Sequence, residues 1–401
     1  MRSQDSEEAT RVPGETLDVM GLIRERMRQA IEVTLEEELA IALGAAPGER
    51  TEGRLGYRHG SQVRRVVTEA GPKDLAVPRG RILQEGASRE WRSQVLPKYQ
   101  RRSRRVDEAL MMAYLGGVNT RRVKRTLMPL LGGDFLSKSA VSRIVGRLTA
   151  LFDAWRTREL SKERYVYLYL DGTRLPIRMA RRVVKVPVLA VLGVREDGQK
   201  VLLHLEVAAS ESTASWEGVV KDLSGRGLTA PVLVVLDGNK GLIRAVSEAW
   251  SGVEIQRCTK HKLENLLSKA PKHCHPELKR DYVAITHPLS AETAQRAYET
   301  FLRKWRGILP TVAESLEEAG LHLLTFTRFP RSQWKSLRTT NQIERLNGEF
   351  RRRTKTQGSF RNECSALVLL WGLVAFGQVV LRKIDGWQEV VKVVGNLRKV
   401  A

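Results

Sequence analysis

Two apolar segments that each run into aspartate and glycine constrain this chain more than anything else in it. Tyr165-Val166-Tyr167-Leu168-Tyr169-Leu170 leads into Asp171-Gly172, and Pro231-Val232-Leu233-Val234-Val235-Leu236 leads into Asp237-Gly238. Short unbroken runs of aromatic, β-branched and leucine residues suit strands buried on both faces. Glycine lets backbone turn away from a sheet, so each acid is expected at a strand tip. Side by side in one sheet, the two strands would bring Asp171 and Asp237 to the same edge. There two anions repel unless a proton or a cation separates them, which makes the pair a candidate metal site. Either acid alone is also what an ordinary surface strand end looks like.

The segments around this pair predict the sheet. Val183 to Val194 and Val201 to Ala208 read as strands joined by the hairpin residues Glu196-Asp197-Gly198-Gln199. Ser215 to Leu223 and Gly241 to Trp250 have helical periodicity, and Val253 to Arg257 is a short last strand. Three strands in a meander, then helix, strand, helix, strand, is the order of a ribonuclease H-like core. The expected class is therefore mixed α/β, with the first strand central and the fourth parallel beside it.

Charge narrows the function. With 68 Lys and Arg against 45 Asp and Glu, the net charge is +23, so a polyanion is the expected partner, above all nucleic acid. An anionic membrane surface or ribosomal-type binding would give the same balance. Three cysteines, Cys258, Cys274 and Cys364, point to a reducing compartment without a disulfide framework. Met1 to Glu15 is polar and contains acids, unlike a secretion signal. Cys364 to Leu381 carries no charge, yet it holds Ser365, Gly372, Gly377 and Gln378 between basic segments, and it reads as a buried helix rather than a membrane span.

Residues 1–16 read as a disordered tail and 17–45 as a helix with an apolar stripe of Ile23, Met27, Ala30, Ile31 and Leu35. Either the chain's own body or a second copy covers that stripe. A small β region follows over 46–100, with strands at Val63 to Val67 and Leu75 to Val77. After the basic run Gln100-Arg101-Arg102-Ser103-Arg104-Arg105 come helical patterns at Val106 to Leu115, Thr120 to Leu131 and Ser139 to Phe152, the last capped by Ser137. The outline over 101–155 is that of a helix-turn-helix, DNA-binding region, in which Lys138, Ser139, Ser142, Arg143 and Arg147 could reach bases or phosphates. A plain three-helix connector with basic surfaces fits the same pattern.

Two acids make an incomplete nuclease site, so a third is expected on a downstream helix that crosses the strand tips. Thr340 or Asn341 can cap a helix whose first turn holds Glu344. Three- and four-residue spacing puts Asn347 and Arg351 on the face of Glu344, and Arg352, Arg353 and Lys355 extend the positive charge. Lys240, just past the second aspartate, and Arg345 are further candidates for phosphate contact, or are simply solvated.

Three signatures, Asp171-Gly172-Thr173, Leu236-Asp237-Gly238-Asn239-Lys240-Gly241 and Thr340-Asn341-Gln342-Ile343-Glu344-Arg345-Leu346-Asn347, make the block from Tyr169 to about Gly377 resemble the catalytic region of the IS256, or mutator-type, family of bacterial transposases. Glu211-Ser212 with Trp216, Arg226-Gly227-Leu228, Cys258-Thr259-Lys260-His261 and Gly358-Ser359-Phe360 are similar too. The resemblance implies a DDE transposase with Asp171, Asp237 and Glu344 as its acidic triad and an all-helical insertion between the second and third acids. On that basis the core occupies 163–262 and 336–381, the insertion 263–335, and a C-terminal tail 382–401. One departure is Gly172, where the family more often has alanine; a smaller residue still lets metal and DNA approach.

Carboxylates suit Mg²⁺ or Mn²⁺, and two ions about 3.5 to 4 Å apart would activate the attacking oxygen and stabilise the leaving one. Asp171 would bridge them, with Asp237 and Glu344 each holding one. The expected reaction is phosphodiester hydrolysis at the element's end, then attack of the freed 3′-hydroxyl on target DNA. Expected partners are terminal inverted repeats, target DNA and a second copy of the chain, because two ends must be joined, in a bacterial, nucleoid-associated cytoplasmic setting without a membrane. Cys258 and His261, with His273, Cys274 and His275, could make a zinc site; ordering the insertion or binding end DNA is the other reading. The rivals to an active transposase are an element-derived DNA-binding factor that lost catalysis, and a junction-resolving nuclease, which would need neither the helix-turn-helix region nor the insertion.

Overall fold

The computed structural model describes residues 19–84, 87–115, 138–179, 182–354, 360 and 362–397. The chain divides into two compact units: residues 1–114 with 119–144, and 145–401 with 115–118.

In the first unit a helix, α1 (Val19–Leu43), lies on a three-stranded antiparallel sheet of β1 (Gly56–Thr68), β2 (Gly71–Gln84) and β3 (Ala87–Glu90). The covered face of α1 carries Leu35, Leu39 and Leu43 at four-residue steps, packed on Val66, Leu75, Val77, Leu96 and Trp91. The N-terminal half of the expected stripe is not covered in the same way: Ile23 stays exposed. The β1–β2 hairpin is longer than the apolar residues alone suggest. Its ladder continues from Thr68↔Gly71 out to Gly56↔Ile82, because ladder hydrogen bonds need backbone, not apolar side chains. Of the three expected helices that follow, α2 (Arg104–Leu115) and α3 (Lys138–Arg156) are described, and Thr120 to Leu131 lies outside the described residues. Instead of ending near Phe152, α3 runs on to Arg156; from Val145 onward it belongs to the second unit, within which Phe152 and Trp155 stack on one another at 5.6 Å and both meet Trp371.

The second unit is built on a five-stranded sheet in the order β6-β5-β4-β7-β8: β4 (Tyr165–Met179), β5 (Arg182–Arg195), β6 (Lys200–Val207), β7 (Leu233–Leu236) and β8 (Glu254–Arg257). The first three are antiparallel neighbours, and β7 and β8 run parallel to β4. Because side chains alternate along a strand, even-numbered residues of β4 and β7 (Leu168, Leu170, Val234, Leu236) enter one core. That core is closed by Trp216, Val219, Val220 and Leu223 of α4 (Thr213–Gly225) and Leu242, Ala245 and Val246 of α5 (Lys240–Ala249).

The odd-numbered residues face the other way. Tyr167 donates its hydroxyl hydrogen to Gln333 Oε1 at 2.7 Å and Tyr169 to the Ser336 carbonyl at 3.0 Å. Between β8 and residue 337 the described elements are α-helices and 3-10 turns alone: α6 (Thr259–Ser268), α7 (His275–Thr286), α8 (Ala291–Ile308), α9 (Pro310–Ala319), the 3-10 turns, and α10 (Trp334–Leu337). They enclose a separate core around Tyr282, Phe301, Trp305 and Leu316. Ser290 starts α8 with a reciprocal cap, its side chain accepting from the Thr293 amide while Thr293 Oγ1 accepts from the Ser290 amide. Ser290→Ala is expected to cost about 1 kcal/mol in a urea denaturation curve, the usual value of a missing N-cap.

The chain then forms α11 (Asn341–Thr354), α12 (Glu363–Ala375) and α13 (Val390–Leu397). The first part of the uncharged stretch is a buried helix as expected, with Ala366, Val368, Leu369, Leu370 and Leu373 interior, but the helix ends at Ala375, short of Leu381, and Val380 is exposed; no helix among the described residues is long and apolar enough to cross a membrane. The segment beyond Leu381, expected as a tail, is tied back to the sheet unit: the Ile384 amide donates to the Gly198 carbonyl, and Asp385 accepts from Ser336 Oγ.

Candidate active site

Asp171 lies on β4 and Asp237 one residue past the end of its parallel neighbour β7, at matching heights. Tyr169 pairs with Val235 in the β4–β7 register, so each aspartate lies two residues past that pair, and their odd numbers put both side chains on the face of Tyr167 and Tyr169. One expectation needs correcting. Asp171 is not the end of its strand: β4 continues to Met179, paired with β5 through Asp171↔Ala190 and Gly172↔Leu189. The tip exists only on the β7 side, where the chain leaves the sheet after Leu236. There the Asn239 amide donates to Asp237 Oδ1 at 2.9 Å, and Asn239 Oδ1 caps α5 by accepting from the amides of Gly241 and Leu242.

Helix α11 supplies the third acid. Glu344 lies in its first turn, and Asn347, three residues on, is buried and donates Nδ2–H to Asp171 Oδ2 at 2.8 Å. One further turn along, Arg351 Nη1 reaches Thr173 Oγ1 at 3.2 Å. The face predicted from helical spacing is thus the face laid against β4. Thr340 does not cap the helix with its side chain as expected; its hydroxyl lies 2.9 Å from Glu344 Oε1 and 3.3 Å from the Cys258 sulfur.

The acids are electrostatically distinct. Burial raises Asp171 to about 6; the Asn347 hydrogen bond and the His261 charge oppose the rise, and the nearby Asp237 and Glu344 charges add to it. Glu344 goes the other way. Burial pushes it up, but the Lys260 ammonium at 2.5 Å and the Thr340 hydroxyl hold it below the ordinary glutamate value. Lys260 was not singled out by sequence reasoning. It follows β8 by three residues, on the first turn of a helix that starts beside the acids, and the Cys258-Thr259-Lys260-His261 motif was the signal that could have found it.

Cys258 and His261 belong to this site and not to a separate one with His273 and His275. Among the described residues, the group of three potential ligands whose donor atoms lie within 4.8 Å of one another is Cys258, His261 and Glu344. His273 and Cys274 sit in a 3-10 turn, and His275 Nε2 is engaged with the Ala270 carbonyl. The five-residue zinc arrangement does not form. The acids Asp171, Asp237 and Glu344 do not form such a close group, since Glu344 is turned toward Lys260, Thr340 and His261. His261 is raised by the neighbouring Cys258 thiol and by Glu344 and Asp171; for Cys258, the attraction to His261 overcomes burial and lowers it.

The other named residues lie on several elements. Lys240 opens α5 and is exposed, as are Arg345, Arg351 and Arg352 on α11, with Arg352 paired to Glu349. Arg353 is half-buried and donates to the Gln378 carbonyl at 2.8 Å, a tie to the segment after α12. Lys355 lies outside the described residues. On α3, Ser142, Arg143 and Arg147 are exposed, while the side chains of Lys138 and Ser139 lie outside the described ones. Gly172 has a neighbour the sequence did not suggest: a Cβ there would stand 3.0 Å from Cδ of Glu211. The obstacle is the end of a flexible side chain, so Gly172→Ala is expected to shift the melting midpoint by no more than about 1 kcal/mol equivalent, checked by thermal denaturation.

The chain is similar to known proteins over most of its length. A family model described as "Transposase, Mutator family" matches residues 2–378. The transposase of insertion sequence element ISRM5 from Rhizobium meliloti is 36% identical over 88% of this chain and 86% of its own length. That of IS256 in transposon Tn4001 from Staphylococcus aureus is 28% identical over 88% and 87%. A solved Drosophila P element transposase strand transfer complex aligns over 73% of this chain and 86% of that one, at 11% identity and a TM-score of 0.29. With a family match that takes in all three acids and nearly the whole sequence, the chain belongs to the Mutator family of transposases.

Proposed function

We propose that this chain is a DDE-type enzyme that binds the terminal inverted repeats of an insertion sequence, cuts a phosphodiester at the element's end and joins the freed end to target DNA. The observation that carries the reading is that Asp171 of β4, Asp237 just past β7 and Glu344 in the first turn of α11 lie within electrostatic reach, the charges of the other two raising Asp171. The strand order, with β4 in the middle and β7 parallel to it, supports a ribonuclease H-like core, and the helices from Thr259 to Leu337 support an all-helical insertion within it.

The residues fit Mg²⁺ or Mn²⁺. Their donors are oxygens, and the pressure that drives Asp171 toward protonation is what a divalent cation relieves. When bound at Asp171, Asp237 and Glu344, such ions would activate the attacking oxygen and stabilise the leaving one. Asn347 fixes the Asp171 carboxylate, and Thr340 orients Glu344. Lys260 neutralises Glu344 in the free protein and offers its ammonium to a phosphate oxygen once DNA is present. Lys240 just past Asp237 and Arg345, Arg351 and Arg352 on the helix of Glu344 are exposed and supply further phosphate contacts.

Water attacks the phosphorus at the element's end and the 3′-oxygen leaves as a hydroxyl; that hydroxyl then attacks a target phosphodiester in line. No covalent intermediate with the protein is needed, and joining two ends calls for a homodimer. Native protein with Mg²⁺ or Mn²⁺ is expected to nick a labelled duplex at the boundary of the terminal repeat. Binding without cutting in both metals would overturn the enzymatic reading in favour of a DNA-binding factor.

A further inference from the structure

The first unit carries a basic groove that the catalytic site does not use. A cavity of about 410 Å³ is lined by the middle of the β1–β2 hairpin and by the strap from Glu90 to Arg101. Arg64, Arg65, Arg79, Arg92, Lys98 and Arg101 line it against a single acid, Glu90. Arg65 is matched by Asp74, and Arg79 and Lys98 share Glu90. Arg92 and Arg101 make no ion pair among the described residues.

Arg64 is the most informative of the six. Its guanidinium donates to the carbonyls of Leu96, Pro97 and Gln100 at 3.2, 2.8 and 3.0 Å. Its position is therefore set by the fold while no carboxylate cancels its charge, and burial with the Arg101 charge presses its pKa down. Arg64, Arg92 and Arg101, like charges without a carboxylate partner among the described residues, oppose folding of the free protein, and the opposition disappears when a polyanion lies across them. Tyr99, 80% exposed on the same wall, adds a ring that can stack on a base or sugar.

We infer that this groove is a DNA-backbone site, taking consecutive phosphodiesters of a duplex through Arg64, Arg92, Lys98 and Arg101, additional to any contact made by the helices between 104 and 156. It rests on the DNA reading above and extends it to the β region, to which composition assigned no role.

The test is fluorescence anisotropy of the full chain, with one labelled duplex carrying the terminal repeat and one of unrelated sequence, across a series of KCl concentrations. For Arg92→Gln/Lys98→Gln/Arg101→Gln, the slope of log K against log[KCl] should become shallower on both duplexes by about 0.9 for each phosphate no longer neutralised. The variant's thermal midpoint should be at or above the native one, because like charges are removed. A control removing equal charge from exposed α7 and α8, Lys279→Gln/Arg280→Gln/Arg303→Gln, should leave the slope unchanged. Tyr99→Ala should weaken binding without changing the slope. A groove variant with native slope and affinity, or a control variant that weakens as much, overturns the groove while leaving the enzymatic reading intact. Failure of the native chain to bind either duplex overturns both.

Discussion

Alanine at Asp171, at Asp237 or at Glu344 is expected to lower single-turnover cleavage of a terminal-repeat duplex by on the order of 10³-fold or more while leaving binding of that duplex nearly native. The reason is division of labour. Affinity comes from many cationic contacts spread over the surface, so one acid fewer does not reduce it. On the proposed reading, catalysis depends on the acids of β4, of the turn after β7 and of α11, and losing one removes charge that the other two cannot replace. Because the three act as a unit, any double variant should be little worse than a single one. Near-native cutting by any single variant would remove that residue from the site. Loss of binding with loss of cutting would mean that the substitution had damaged the fold instead.

Asp171→Asn is expected to stabilise the metal-free protein at neutral pH, by up to about 3 kcal/mol. The folded pKa of about 6 lies some two units above the ordinary value of 3.8, and each unit is worth about 1.4 kcal/mol. The sign follows from which state holds the proton more tightly. Below the unfolded value the carboxyl is protonated in both states and no penalty exists. Between about 4 and 6 the unfolded chain ionises first, so stability falls as pH rises, and above the folded value the penalty is fully present. Glu344, whose folded pKa is lowered, works oppositely: its contribution is present above the ordinary glutamate value and disappears as pH falls. Comparing native protein with Asp171→Asn at each pH separates the two. Melting in chelator should show the gap opening between pH 4 and 6, and Mn²⁺ should raise the native midpoint more than that of the variant. A gap that does not vary with pH would sink the account of Asp171 as a carboxylate ionised against its surroundings.

Much of the centre could be read from the chain because short-range periodicity carries it. Alternation along a strand puts Asp171 and Asp237 on one face together with Tyr167 and Tyr169, and the three- and four-residue steps of a helix put Asn347 and Arg351 beneath Glu344. These relations hold within single elements and survive without knowledge of what packs where. The strand order followed too, since a hairpin turn at Asp197-Gly198 and helices between the later strands leave few ways to arrange five strands.

What escaped depends on contacts between residues far apart in sequence. Gly172 reads as a place where the chain turns, but β5 holds it in the ladder, and only the neighbouring β7 stops there. The Cys258 motif suggested distant histidines as partners, whereas the helix that begins at Thr259 brings Lys260 and His261 to Glu344. Arginines from Arg64 to Arg101 look like ordinary solvated charge until the β1–β2 hairpin and the strap after Glu90 gather them around one groove. The sequence by itself determined which residues share a face, because backbone geometry sets the period of strand and helix. Which faces meet, and hence which charges must tolerate one another, was decided by tertiary packing, because burial and electrostatics act through space and take no account of separation along the chain.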